Sequence, residues 1–139
     1  MAKQIFVNLP VADLDASTAF YEALGFTKNP MFSNDDASSM VWSEDISVML
    51  LKQDFYKTFL KGKEIADTKK SSGVLLAITL DSKEAVQQFA DTAKANGGDV
   101  FKAGPETPED MMFGYEVTDL DGHTWEPLWM NANFDPQAS

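Results

Sequence analysis

Residues Ile5 to Val11 alternate with period two, so that Val7, Leu9 and Val11 share one face of a strand and Phe6, Asn8 and Pro10 the other. Pro10 cannot donate to a ladder, which places the strand at an edge, a bulge or an end. Asp13 is a good helix N-cap; Ala16, Phe20 and Leu24 then recur at helical spacing with Tyr21 and Ala23 beside them, and Gly25 is a natural stop. Phe26 to Phe32 reads as a strand, Ser33 to Asp36 as a polar turn, and Met40 to Ser43 with Ile46 to Leu51 as a hairpin.

The same pattern returns further on. Val74 to Leu80 is an apolar run of the kind found in a strand buried on both faces. Ser82 can cap a helix whose Val86, Phe89, Ala90 and Ala93 face a core, and Gly97-Gly98 ends it. Asp99 to Lys102 predicts a strand and Gly104 to Asp110 a loop rich in Pro and Glu. Met112 to Val117 and Thr124 to Met130 then form a closing hairpin around Asp121-Gly122. Strand, helix, Gly, strands and an acidic turn thus occur twice, which is the signature of a duplicated module. The expected organisation is a single domain over 1–139. Module one spans 1–52, a linker with a short helix 53–73, module two 74–131 and a tail 132–139.

Composition narrows the function classes. A chain of 139 residues is one domain's worth. It has no cysteine, which removes disulfides, thiol nucleophiles and thiolate metal ligands and fits a reducing compartment. No run resembles a signal peptide or a membrane span, so a soluble, cytoplasmic protein without membrane partners is expected. Net charge is −11 and all 11 basic residues are lysine, which argues against nucleic acid as a partner. The missing arginine also removes a planar bidentate clamp for carboxylate or phosphate. Six of the eleven lysines lie between Lys52 and Lys70, leaving the rest strongly acidic. That acidity reads first as plain solubility; the alternative is a negative field that attracts a cationic ligand. There is no Gly-rich phosphate loop, no nucleophile elbow and no histidine placed to serve a triad.

Two stretches in order resemble the vicinal oxygen chelate superfamily, which includes glyoxalase I, bleomycin-resistance proteins and extradiol dioxygenases. They are Leu9-Pro10-Val11-Ala12-Asp13-Leu14-Asp15-Ala16-Ser17 continued by Phe20 to Phe26, and Val117-Thr118-Asp119-Leu120-Asp121-Gly122-His123-Thr124-Trp125-Glu126. The resemblance implies an α+β fold of two tandem βαβββ modules, whose curved mixed sheets form a cleft, and commonly a homodimer. It also implies, in metal-dependent members, one ligand from the first and last strand of each module. Carried over by residue, those positions fall on Phe6, Met49, Leu75 and Glu126, so only Glu126 keeps a donor. A lone carboxylate does not hold a catalytic divalent ion, because several donors must converge. Asn8 shares the parity of Phe6, but an amide oxygen is a weak ligand. His123, the only histidine, lies three residues before Glu126 and therefore points to the opposite face, as a turn residue. No metal site and no cofactor are expected.

What remains implied is a cleft walled by Phe6, Met49 and Leu75, with Trp42 and Tyr115 as further wall candidates and Glu126 and Asn8 as polar contacts. A carboxyl in such surroundings has its charged form disfavoured and can act as acid or base near neutrality. The first expectation is a metal-independent protein that binds a small, partly apolar molecule in the cleft between the sheets. The alternative is a lyase, isomerase, epimerase or dioxygenase acting next to a carbonyl or diol, with Glu126 as acid/base or as the sole retained metal ligand. Whether the protein is an enzyme at all stays open on the sequence.

Overall fold

A computed structural model describes residues 3–133; of the predicted tail, the stretch 134–139 lies outside the described residues. Contacts divide the chain into two compact units, Met1–Ser71 and Ser72–Ser139. The fold is α+β, each unit carrying one mixed sheet with a single long helix.

The first unit runs β1 (Ile5–Val11), α1 (Leu14–Ala23), β2 (Thr27–Asn29), β3 (Ala37–Ser43), β4 (Ile46–Lys52) and the short α2 (Gln53–Lys57). Its sheet has the order β1-β4-β3-β2, with β1 parallel to β4 and the other pairs antiparallel. Asp13 opens α1 as expected, its carboxylate accepting the Ala16 N–H at 3.1 Å. The buried stripe of α1 is Leu14, Ser17, Thr18, Phe20 and Tyr21, so Ala16, counted on the core face from its spacing, is exposed. Thr18 turns inward because its hydroxyl is satisfied there. It donates to the Leu14 carbonyl at 2.7 Å and lies 2.8 Å from the Ser38 hydroxyl on β3. The strand expected over Phe26 to Phe32 is only Thr27–Asn29. Pro30 starts a single 3-10 turn, Pro30–Phe32, capped by the Asn29 side chain, whose Oδ1 accepts the Met31 N–H at 3.1 Å.

The second unit runs β5 (Leu75–Thr79), α3 (Lys83–Ala95), β6 (Asp99–Phe101), β7 (Met112–Gly114), β8 (Glu116–Thr118) and β9 (Thr124–Met130). The sheet order is β5-β9-β8-β6, with β7 also paired to β9. Ser82 caps α3, accepting from Ala85 N–H at 3.0 Å. Val86, Phe89, Ala90 and Ala93 are the buried face of that helix, as their spacing predicts. Against it lie Trp125 and Pro127 of β9, and the Lys83 ammonium sits 5.2 Å from the Trp129 ring centroid. Full burial of each large apolar side chain here contributes about 1.5–3 kcal/mol.

The hairpin arm predicted as one strand over Met112 to Val117 is interrupted at Tyr115. Both pieces keep one register against β9, with Gly114 opposite Leu128 and Val117 opposite Trp125. Tyr115 therefore faces Pro127, and Glu116 faces Glu126. The Tyr115 N–H donates to the Pro127 carbonyl at 3.3 Å. Pro127 has no N–H to return the bond, and the ladder breaks there. Gly114 lets the strands close up, since a Cβ on it would stand 2.8 Å from the Pro127 carbonyl oxygen and 3.2 Å from Leu128 Cβ.

The registers carry the duplication down to single positions. Phe6 pairs with Ser47 and Met49 lies two residues on; Leu75 pairs with Thr124 and Glu126 lies two residues on. Phe6 and Leu75 are thus equivalent, as are Met49 and Glu126.

Candidate functional site

In the second unit a cavity of about 580 Å³ opens beside β7 and β8. The segment Lys102 to Glu109 forms one wall, and Met112, Gly114, Glu116, Glu126 and Leu128 lie on another. Alternation sets Gly114, Glu116, Glu126 and Leu128 on the sheet face turned away from α3. Phe113 and Tyr115 stand on the opposite face; the Tyr115 hydroxyl donates to Gln87 Oε1 of α3 at 2.7 Å. All of them border the same cavity, because among the described residues no strand but β9 pairs with β7.

Two carboxyl groups dominate its chemistry. Glu126, on the last strand, shares a side-chain hydrogen bond with Glu116 opposite. Burial raises the Glu126 carboxyl above the ordinary carboxylate range; the hydrogen bond that its protonated form donates to Glu116 and the negative charge of that residue raise it further. The Glu116 Oε2 also accepts the Ala103 N–H at 2.8 Å, which ties the start of the loop to the pair. One cation lines the cavity, Lys102. Its Nζ lies 3.6 Å from Glu109 Oε1 and sits 4.7 Å and 4.9 Å from the ring centroids of Phe113 and Tyr115.

The residues singled out in the sequence divide between the units. Tyr115 and Glu126 are in this cavity, Glu126 half-buried. Leu75 shares the Glu126 face of the second sheet and is 56 % exposed. In the first unit Phe6, Asn8 and Met49 share the face turned away from α1, with Asn8 directly opposite Met49. Phe6 is 52 % exposed there. Trp42 is on the other face of that sheet, its ring 4.9 Å from Phe26 and 3.8 Å from where a Cβ on Gly25 would stand. His123 is buried in the β8–β9 turn, its N–H donating to the Asp119 carboxylate at 2.9 Å.

The donor set does not fit a divalent ion. The four positions that the resemblance aligns with ligands are a phenyl ring, a thioether, an isobutyl group and one carboxyl, and among the described residues no three His, Cys, Asp or Glu side chains gather to hold a metal. Likewise, among the described residues no helix is long and apolar enough to cross a membrane.

This architecture, two βαβββ modules each built on a parallel first-and-last strand pair, is shared with known proteins. Residues 3–37 match the family model described as bleomycin resistance protein-like N-terminal. The hypothetical protein SA1046 from S. aureus aligns over 93 % of this chain and 95 % of its own at 25 % identity, with a TM-score of 0.74. A glyoxalase/bleomycin resistance protein/dioxygenase family enzyme from Burkholderia phytofirmans PsJN aligns over 94 % and 100 % at 20 % identity, TM-score 0.76. The genomically encoded fosfomycin resistance protein FosX from Listeria monocytogenes covers 100 % and 99 % at 16 % identity, TM-score 0.66. No curated protein sequence matches the chain. The chain thus carries a bleomycin-resistance-like match over residues 3–37, and its fold is that of the glyoxalase, bleomycin-resistance and dioxygenase proteins, the vicinal oxygen chelate group.

Sequence reasoning missed Glu116, Lys102 and Phe113 as site residues. The signal for Glu116 was present: counting outward from the Asp121-Gly122 turn pairs Thr118 with Thr124 and then Glu116 with Glu126. Nothing in the local sequence gave the packing of Lys102 on two rings.

Proposed function

We propose that this protein binds a small, partly apolar molecule in the cavity of its second module, without a metal ion, and that Glu126 supplies the polar contact. The observation that carries this reading is the Glu116–Glu126 pair set in a cavity that Met112, Phe113, Pro127 and Leu128 line on one side and the polar segment Lys102 to Glu109 on the other. Pockets of this kind take most of their affinity from apolar contact and their orientation from a few polar groups. The hydrocarbon and thioether side chains at three of the four aligned ligand positions support metal independence. A homodimer fits the same reading, since Phe6 and Leu75 are large, exposed apolar residues on the edge strands β1 and β5. So does a cytoplasmic location, given the cysteine-free composition.

Two measurements test it. Calorimetric titration of the metal-stripped protein with Ni, Zn, Mn and Fe(II) is expected to give no heat above background; micromolar binding lost in Glu126→Gln would overturn metal independence. Saturable binding of the neutral dye Nile red is expected and is reduced in Leu128→Glu, which adds a charge to the apolar wall. Dye binding unaffected by that change would move the ligand elsewhere.

The raised Glu126 favours one second reading, proton transfer next to a carbonyl. In that case Glu126→Gln abolishes turnover, whereas in the binding reading it changes affinity by a modest factor and shifts its pH dependence.

A further inference from the structure

The Phe113–Tyr115 pair already carries a cation. The two rings meet edge to face, centroids 5.5 Å apart at 83°, and the Lys102 ammonium lies within 5 Å of both. That is the arrangement in which ring quadrupoles attract positive charge. We infer that this notch is a subsite for the ammonium group of a small organic cation, and that Lys102 occupies it in the ligand-free chain. The inference rests on the reading of the cavity as a ligand site and specifies the chemical class it takes.

Three observations support displacement of Lys102 rather than a fixed clamp. Its anchor is weak: the side chains of Lys102 and Glu109 are 50 % and 68 % exposed, and the ion pair is 3.6 Å long. Exposed pairs of this kind contribute little. The Tyr115 ring, by contrast, is positioned without Lys102, and Phe113 packs against it. The Tyr115 hydroxyl is held by Gln87, whose Nε2 donates to Asp91 Oδ1 at 2.9 Å. When the lysine leaves, the notch keeps its shape. Finally, Glu106, Glu109, Glu116 and Glu126 line the cavity against the single charge of Lys102, so an incoming cation is favoured and an anion is not.

The test uses choline and neohexyl alcohol, its neutral isostere with carbon in place of nitrogen. Binding to the full chain is followed by amide chemical shifts of residues 102–116 at low ionic strength, for wild type, Lys102→Ala and Lys102→Ser. Thermal melts of both variants establish that they fold. Emptying the notch is expected to tighten choline by about two- to thirty-fold, the range of a cation–π contact, and to leave neohexyl alcohol unchanged. Phe113→Leu in the Lys102→Ala background is expected to reverse that gain. Choline affinity that is unchanged or weakened in both lysine variants overturns the subsite, as does an equal gain for the neutral isostere. If neohexyl alcohol binds and choline does no better, the subsite fails while the cavity reading stands. If neither probe shifts these amides in any variant, the subsite also fails, and the Nile red titration decides the cavity separately.

Discussion

Glu116 and Glu126 face each other across adjacent antiparallel strands and share a hydrogen bond, with Pro127 breaking the ladder beside them. Like charges directly opposite in a sheet destabilise it by about 0.2–1 kcal/mol. The pair relieves that repulsion by keeping a proton on Glu126 to a higher pH than an ordinary carboxyl would.

The pH dependence follows from that proton. The folded state raises Glu126, so folding favours its protonated form. Below the ordinary carboxylate range the residue is protonated whether folded or not and imposes no penalty. As pH rises through the window between the ordinary and the raised value, the unfolded chain ionises first, and stability is lost. Urea unfolding of Glu126→Gln, which cannot ionise, is expected to gain on wild type across that window by up to about 1 kcal/mol. Glu116→Gln removes the charge but not the burial, so its gain is smaller. A wild-type advantage that grows with pH would sink the argument.

Gly114 is expected to tolerate no side chain. With the Pro127 carbonyl oxygen 2.8 Å from the ideal Cβ position, backbone and not a flexible tip must move. Gly114→Ala should cost about 1–3 kcal/mol, as overpacking does, and widen the cavity mouth by pushing β7 from β9. Chemical denaturation measures the first and Nile red affinity the second. An unchanged denaturation midpoint would show that β7 shifts freely.

Much of this was legible from residue pattern alone, because each signal was local. Asp13 and Ser82 cap their helices; Val86, Phe89, Ala90 and Ala93 are the buried stripe of α3; Asp121-Gly122 turns the last hairpin. What escaped depended on partners far along the chain. Tyr115 breaks its strand because Pro127 lies opposite, and Trp42 packs on Phe26 although its strand offered two faces. The charged core of the site needed register as well as pattern. Glu126 stood out by its place in a motif, whereas Glu116 gains meaning only from being across from it.

The two helix caps make a paired prediction. Asp13→Ala and Ser82→Ala each remove one side-chain acceptor from equivalent positions of the duplicated modules. Each should cost about 0.5–2 kcal/mol. Native-state hydrogen exchange should show faster exchange in the first turn of α1 for one and of α3 for the other. Loss of protection in both helices from a single cap change would mean that the units unfold only together.

The buried Thr18–Ser38 contact offers the sharpest test of the first unit. Thr18 has one hydroxyl proton and gives it to the Leu14 carbonyl, so Ser38 must donate to Thr18. Thr18→Val removes the acceptor and leaves the buried Ser38 hydroxyl without it, at a cost of about 1–3 kcal/mol. Ser38→Ala removes only the donor, and Thr18 keeps its bond to Leu14, so the cost is smaller. The double variant should then be no worse than Thr18→Val alone, because the orphaned hydroxyl is gone. Equilibrium unfolding of the four proteins closes the cycle. Strict additivity would show that the two hydroxyls do not depend on each other and would overturn the contact.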